Sequence, residues 1–261
     1  MAIKQNVPFE RGAKTDKCPV CGHPVRIVYR DNEHADHYEP LTMRSGWRAP
    51  ELQPVDPDTA KKLHKIRAGK RTIACVGMAP TSCSLAPYED PDVEIWALNE
   101  MHVMPWMKRW DRWFQIHASQ SWKRRVAKRG VVGHYEWLKE DHGKPIVMQY
   151  WNPEIPGSEA YPLAEICEKL LGSFSRGDDH VKYFTSSLSY MIGYALWSEK
   201  VDRIEIYGFE LNDQIEFVKQ KACAEFWIGL AMGRGVEVYA PPNCTLLWSS
   251  LYGGNEQGDG W

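Results

Sequence analysis

Short apolar runs alternate along the chain with longer stretches in which apolar residues recur at helical spacing. Arg71-Thr72-Ile73-Ala74-Cys75-Val76 and Val93-Glu94-Ile95-Trp96-Ala97-Leu98 are the first two β-type runs. Arg112 to Ile116, Pro145 to Gln149, Arg203 to Tyr207 and Val236 to Tyr239 continue the series. Between them, Leu163 to Leu171, Ser187 to Trp197 and Glu216 to Met232 repeat apolar positions three and four residues apart, which predicts helices. Strands too apolar to leave a face in water, separated by helices, predict an α/β domain with a mostly parallel sheet and helices on both faces.

That pattern occupies residues 71–248. Residues 48–70 are proline-rich and then charged, which reads as a linker with one short helix, and the glycine-rich residues 249–261 read as a flexible tail. Residues 1–47 form a separate segment. There Cys18 and Cys21 make a C-x-x-C-G turn, and His34 and His37 follow a short β-type run. Two thiolates and two imidazoles can close a tetrahedron around a structural Zn ion, with His23 as a substitute ligand. The metal would then supply folding energy that so short a segment cannot obtain from a core. A solvent-exposed loop with neighbouring histidines is the competing reading.

Composition narrows the class. Seven cysteines, an odd number scattered over 261 residues, argue for thiols or metal ligands over a disulfide framework. No run approaches the length of a membrane helix, and the first residues lack a signal-peptide centre, so a cytoplasmic protein without a membrane partner is expected. A formal net charge of −2 names no partner, because an even total hides local patches.

In open parallel sheets, ligands bind where the strands end. Those ends carry Gly77-Met78-Ala79-Pro80-Thr81-Ser82, then Asn99, His117, Gln149 and Glu210. The glycine-containing turn can turn backbone N–H groups and the Thr81 and Ser82 hydroxyls towards a phosphate, or it can be a tight turn without a ligand. Thr185, Ser186 and Ser187 open a helix, where hydroxyls either cap N–H groups or share that terminus with an anion. Glu210 ends a strand after Gly208, as a cleft carboxylate or a solvated loop residue. Glu216 and Gln220 align on one helical face, either serving the cleft or pinning the helix, and Asp213 caps it.

A strand followed by G-x-x-P-(S/T), a second strand ending on Asn, and a late (T/S)-S helix leading to I-x-I-Y-G-F-(D/E) resemble the pseudo-Rossmann fold of bacterial sialyltransferases (glycosyltransferase family 42) and the MptE-like proteins. Some bacteriophage proteins look similar. The resemblance covers about residues 71–241 and implies a Rossmann-like domain in which Gly77, Pro80, Thr81, Ser82 and Asn99 line a nucleotide donor site beside Ser186 and Ser187. That family is expected to place a histidine base after the late strand. This chain has no histidine beyond His180, which argues against sialic acid and leaves His117 or Glu210 as the base.

Lys108, Arg109, Arg112, Lys123, Arg124, Arg125, Lys128 and Arg129 interleave with Trp110, Trp113 and Trp122. Such a tract is either a solvated face over core tryptophans or a polyanion surface with stacking rings. The loop from Tyr150 to Ile166, with Glu159 and Tyr161, reads as a lid or a plain surface loop. Together these features predict a nucleotide-sugar-dependent transferase, with a hydroxylated base in DNA as a candidate acceptor. Pyrophosphoryl transfer to a small alcohol with ATP and Mg²⁺ near Glu210 or Asp213 is the alternative, and a non-catalytic nucleotide or nucleic-acid binder is the third reading.

Overall fold

The computed structural model describes residues 15–17, 24–30, 34–40, 57–79, 81–119, 133–172, 175–176, 179–180, 182–198, 200–211, 215–242, 244 and 246–247. Two compact units are present, residues 1–48 with 127–130, and residues 49–126 with 131–261.

The first unit contains strands β1 (Thr15–Lys17), β2 (Pro24–Arg30) and β3 (His34–Pro40) in one antiparallel sheet. Lys17 pairs with Pro24 and His34 pairs with Arg30, at opposite ends of β2. At ~3.3 Å per residue those ends lie about 20 Å apart. His34 is therefore a strand length from Lys17. His37 pairs with Val28, nearer the middle of the strand. Cys18, Cys21 and His23 lie outside the described residues, and so do residues 249–261.

The second unit is built on β4 (Thr72–Val76), β5 (Val93–Leu98), β6 (Arg112–Gln115), β7 (Ile146–Met148), β8 (Ser158–Ala160), β11 (Arg203–Tyr207) and β12 (Glu237–Tyr239). A two-residue pair, β9 (Ser175–Arg176) with β10 (Asp179–His180), stands apart. The seven strands run in the order β12-β11-β4-β5-β6-β7-β8, and every neighbouring pair is parallel. The chain therefore starts in the middle at β4, fills one side out to β8, and crosses back to lay β11 on the other side. The switch point lies between β4 and β11. β4 and β11 are buried at every position; the largely apolar run of β4 predicts this for a strand covered on both faces, whereas β11 buries two charged side chains, Arg203 and Glu205.

Among the described residues the unit carries the helices α1 (Pro57–Arg67), α2 (His134–Lys139), α3 (Leu163–Ile166), α4 (Ser187–Ser198) and α5 (Ile215–Gly233). A π-helical turn, Cys167–Leu171, extends α3. Helix α5 joins β11 to β12 and α4 leads into β11, so both open at the carboxyl edge of the sheet. Trp96, Trp113 and Trp227 are fully buried in the core, each side chain contributing on the order of 2–3 kcal/mol by leaving water. Cys75, Cys83, Cys167, Cys223 and Cys244 are buried free thiols. No helix among the described residues is long and apolar enough to cross a membrane.

Two segments differ from their sequence reading. Residues 57–67, read as part of a linker, carry Arg67 into the interior of the second unit. Alternate residues of β11 put Arg203, Glu205 and Tyr207 on one face. There the fully buried Glu205 carboxylate accepts from Arg67 Nε (3.0 Å) and Arg203 Nε (2.8 Å) on one oxygen, and from Arg67 Nη2 (2.7 Å) and the Tyr207 hydroxyl (2.7 Å) on the other. Burial alone would raise the pKa of Glu205; the hydrogen bonds from Arg67 and Arg203 and the Arg67 charge overcome it and hold the carboxyl below its usual range. The lid reading also gives way in part. Ser158–Ala160 is the edge strand β8, Glu159 pairs with Arg112 (2.7 Å), and buried Tyr161 donates to the Tyr190 carbonyl (3.1 Å).

Replacing Glu205 by Ala would leave two guanidinium groups buried without their carboxylate. Glu205→Ala is expected to cost about 3–5 kcal/mol, measured by urea unfolding, because a broken buried pair strands its charges.

Candidate functional site

The carboxyl edge of the sheet presents, in spatial order, the segments after β11, β4, β5 and β6. They carry Glu210, Gly77 to Ser82, Asn99 and His117, on neighbouring strands ~4.8 Å apart.

At the switch point two glycine backbones touch. A Cβ on Gly77 would stand 2.3 Å from the Gly208 carbonyl oxygen, and one on Gly208 would stand 2.4 Å from the Gly77 oxygen. Gly208 also takes a φ of +67°, which side chains disfavour. The loops are laced together: Ala79 N–H donates to Gly208 O (2.9 Å), and Gly208 N–H donates to Ser82 Oγ (2.8 Å). Ser82 is fully buried, so its hydroxyl serves the loop, while Thr81 is exposed. Pro80 lies outside the described residues. Gly77 is thus required by backbone packing, a role invisible in the G-x-x-P-T-S pattern itself.

The segments after β5 and β6 form a second arrangement. Asn99 adopts a left-handed backbone (φ 52°), which asparagine tolerates better than most side chains. Its N–H donates to Phe114 O (3.0 Å) and its carbonyl accepts from Trp113 Nε1 (3.1 Å), so its backbone is fastened to β6. Its Oδ1 lies 3.0 Å from His117 Nδ1. An amide oxygen only accepts, so His117 Nδ1 carries the proton and Nε2 of the neutral ring holds the lone pair. Both side chains are half-buried. The sequence placed these residues at two strand ends, and the structure joins them.

Sequence reasoning missed a set of imidazoles behind this pair. His134, the first residue of α2, is buried, with Nε2 2.9 Å from Gln115 Oε1 and Nδ1 3.0 Å from His102 Nε2. His102 sits in the 3-10 turn Met101–Val103 and stacks on Trp137 with centroids 4.4 Å apart. Burial, then the neighbouring His134, push its pKa down to about 4. In the sequence only His102, three residues beyond Asn99, hinted at this group.

The helix-opening hydroxyls cap. Ser186 Oγ accepts from Ser189 N–H (3.2 Å) and lies 2.6 Å from Ser189 Oγ, whereas Thr185 Oγ1 donates to the Lys219 carbonyl (3.0 Å). Ser187 remains half-buried at the carboxyl edge, as does Gln220 on α5. Residues 212–214 and the side chain of Glu216 lie outside the described residues. Glu210 is half-buried, close enough to Cys83 and Cys244 to add to the rise that burial imposes on both thiols.

The described part of the basic tract works within the fold. Arg109 donates to the carbonyls of Tyr88 (3.1 Å), Asp90 (2.9 Å) and Val93 (2.7 Å) and to Asp111 (2.7 Å). Arg112 packs over the Tyr194 ring (4.9 Å) and pairs with Glu159, while exposed Lys108 pairs with Glu89 (2.9 Å). Arg109 and Arg112 lie at or before the start of β6, and His117 lies beyond its end. The strand therefore separates these two arginines from the candidate base. Lys123, Arg124, Arg125, Lys128 and Arg129 lie outside the described residues. A shallow depression of about 390 Å³, lined by Asp141, Lys144, Ser158 and Glu159 among others, precedes β7 and β8 at the amino edge, away from this chemistry.

No family model and no curated protein matches the chain. Among solved structures, it is similar to the sialyltransferase CstII from Campylobacter jejuni in complex with the substrate analogue cytidine-5'-monophosphate (13% identity, TM-score 0.43, 67% of this chain and 82% of that one). A complex of CST-II with trisaccharide acceptor and CMP gives 13% identity and a TM-score of 0.43, over 70% of this chain and 89% of that one. An apo α-2,3-sialyltransferase from Campylobacter jejuni gives 12% and 0.42, over 69% and 78%. Likeness at that level fixes neither substrate nor reaction.

The glycine contact makes a direct prediction. Gly77→Ala is expected to destabilise the chain by roughly 1–3 kcal/mol in chemical denaturation, because the added methyl meets backbone that cannot rotate aside.

Proposed function

We propose that the chain is a nucleotide-dependent transferase, a glycosyltransferase that passes a sugar from a nucleotide donor to a hydroxyl, with a hydroxylated base in DNA as the acceptor. The observation that carries this reading is the Asn99–His117 pair. It holds an imidazole in one tautomer, with the lone pair on Nε2, at the carboxyl edge one strand from the switch point. The motif resemblance supports a nucleotide-sugar donor.

In this reading His117 Nε2 removes the acceptor hydroxyl proton as the oxygen attacks the sugar's anomeric carbon. The bond from that carbon to the nucleotide phosphate breaks, and its electrons leave with the phosphate. The exposed Thr81 and the half-buried Ser187 offer hydroxyls to the donor phosphates, and the amino end of α4 contributes its partial positive charge. Catalysis would rest on positioning and a pre-oriented base.

The test is turnover over a panel of nucleotide sugars and ATP, with hydroxymethylated or unmodified duplex DNA. Consumption of a nucleotide sugar stimulated only by the hydroxylated duplex is expected, and His117→Ala should lower kcat by roughly 10²–10⁴-fold. Asn99→Asp, which keeps an acceptor for Nδ1, should retain more activity than Asn99→Ala. Consumption of ATP alone would replace this reading with pyrophosphoryl transfer, and binding without turnover would replace it with a sensor. DNA recognition through Arg124 and Arg125 requires affinity that falls steeply with salt, and a shallower dependence once both are neutralised.

For the amino-terminal segment we infer a structural zinc site centred on Cys18 and Cys21. Their thiolate pair suits the metal, with His34 and His37 completing the set and His23 as a substitute ligand. Metal analysis should find zinc lost in Cys18→Ser; zinc unchanged there would remove the assignment.

A further inference from the structure

The geometry points to His102 Nδ1 as a fixed hydrogen-bond acceptor that receives a hydroxyl of the acceptor substrate, oriented by a buried relay running from Gln115 through His134. The identity of the substrate rests on the transferase reading above; the relay does not. Gln115 ends β6, and its side chain is fully buried. Its Oε1 accepts from His134 Nε2, which places the proton of the neutral His134 ring on Nε2 and leaves Nδ1 bare. Bare Nδ1 must accept, so His102 Nε2 donates to it, and the lone pair of His102 falls on Nδ1. An imidazolium at the depth of His134 would be a costly buried charge, which favours this neutral chain.

The relay is fixed in space as well as in protonation. Trp137 lies 5° from parallel with the His102 ring and sets its plane, while the bond to His134 sets its rotation about that plane. His102 is half-buried, and Nδ1 meets no protein partner among the described residues. Gln115 Nε2 is buried without a partner among the described residues, so the fold carries the cost of a glutamine whose one bond is the one to His134. An apolar residue would fill that core position without the cost, which argues that the bond is retained for what it orients. The turn holding His102 begins two residues beyond Asn99 on the same strand end, so the acceptor nitrogen and the candidate base share the β5–β6 end of the sheet.

The ionisable groups around His102 are His134, Glu100 and His142, and burial with the two histidines outweighs the opposing Glu100. The ring therefore stays neutral well into acid, and Nδ1 keeps its accepting role where an ordinary histidine becomes a donor. This permits a test by diethyl pyrocarbonate, which acylates an imidazole only where its nitrogen is unprotonated and accessible. At pH 5 a ring titrating at about 4 is roughly thirtyfold more neutral than one titrating at 6.5. His102 in the full chain should accordingly be modified nearly as fast at pH 5 as at pH 7, read by peptide mapping. Labelling with ¹⁵N-histidine should also show a nitrogen–nitrogen coupling across the His102–His134 hydrogen bond at neutral pH, lost in a folded Gln115→Leu variant as the ring tautomers become free. Modification of His102 that is slow at pH 5 relative to pH 7, or no coupling in the wild-type chain, overturns the relay, and neither measurement needs substrate.

The substrate contact is tested by protection. Hydroxymethylated duplex DNA should slow modification of His102 at least tenfold, and the same duplex without the hydroxyls should not. If the hydroxylated duplex is turned over with His102 unprotected, the contact is wrong and the transferase reading survives. If it protects His102 without any turnover, the contact stands and the transferase reading fails.

Discussion

The carboxyl edge of the sheet depends on one steric constraint, the approach of two peptide backbones at Gly77 and Gly208. These residues end β4 and β11, the strands between which the chain reverses its order of filling the sheet. Neither position has room for a Cβ, since each would meet the other's carbonyl oxygen below 2.5 Å. With the backbones in contact, Ala79 and Gly208 exchange hydrogen bonds with the facing loop, and buried Ser82 fills the remaining acceptor role. The height of the loop after β4 is thereby fixed relative to the strand ends beside it, and so is the position of the exposed Thr81.

A second constraint acts at the other end of β11. Glu205 is completely buried yet remains a carboxylate, because both of its oxygens are filled by Arg67, Arg203 and Tyr207. This cluster joins α1 to the sheet and makes a helix at the start of the unit part of its interior. Arg67 also reaches Asp90, in the loop before β5, at 3.0 Å. Charge is thus concentrated near the amino halves of the strands, where it holds elements together. The carboxyl edge holds, beside the Glu210 carboxylate, hydrogen-bonding groups set in defined orientations by Asn99, Gln115 and Ser82. That division suits a site where a proton is removed and an anion leaves.

Two imidazoles near β5 and β6 are set by the same device, an amide oxygen that can only accept. Asn99 gives His117 a protonated Nδ1 and puts the ring's lone pair on Nε2. Gln115, acting through His134, gives His102 a protonated Nε2 and a free Nδ1. One nitrogen is read as base and the other as a reader of substrate hydroxyl. Stacked tryptophan confines the second ring, whereas the first depends on a backbone pinned to the neighbouring strand.

The apolar run at residues 72–76 announced a central strand, because only a strand covered on both faces tolerates such continuity, whereas the alternation of Arg203, Ile204, Glu205 and Ile206 gave no sign that both faces of its neighbour are buried. The serines before α4 and the glycine at 77 were equally visible, but their roles were ambiguous in one dimension. Capping and anion binding use the same hydroxyls, and packing and phosphate approach use the same glycine. The short edge strand β8 was hidden in a proline-broken loop. Arg109 and Arg112 read as part of one basic surface with the residues after the strand, because spacing along the chain conceals that β6 carries its two ends to opposite edges of the sheet. The sequence by itself determined the alternation of strands and helices, and the polar residues that end each strand. Only the tertiary structure decided which of those residues meet, because the partners of Asn99, Gln115, Gly77 and Glu205 come from other strands or helices, and their contacts exist only once the strand order is set.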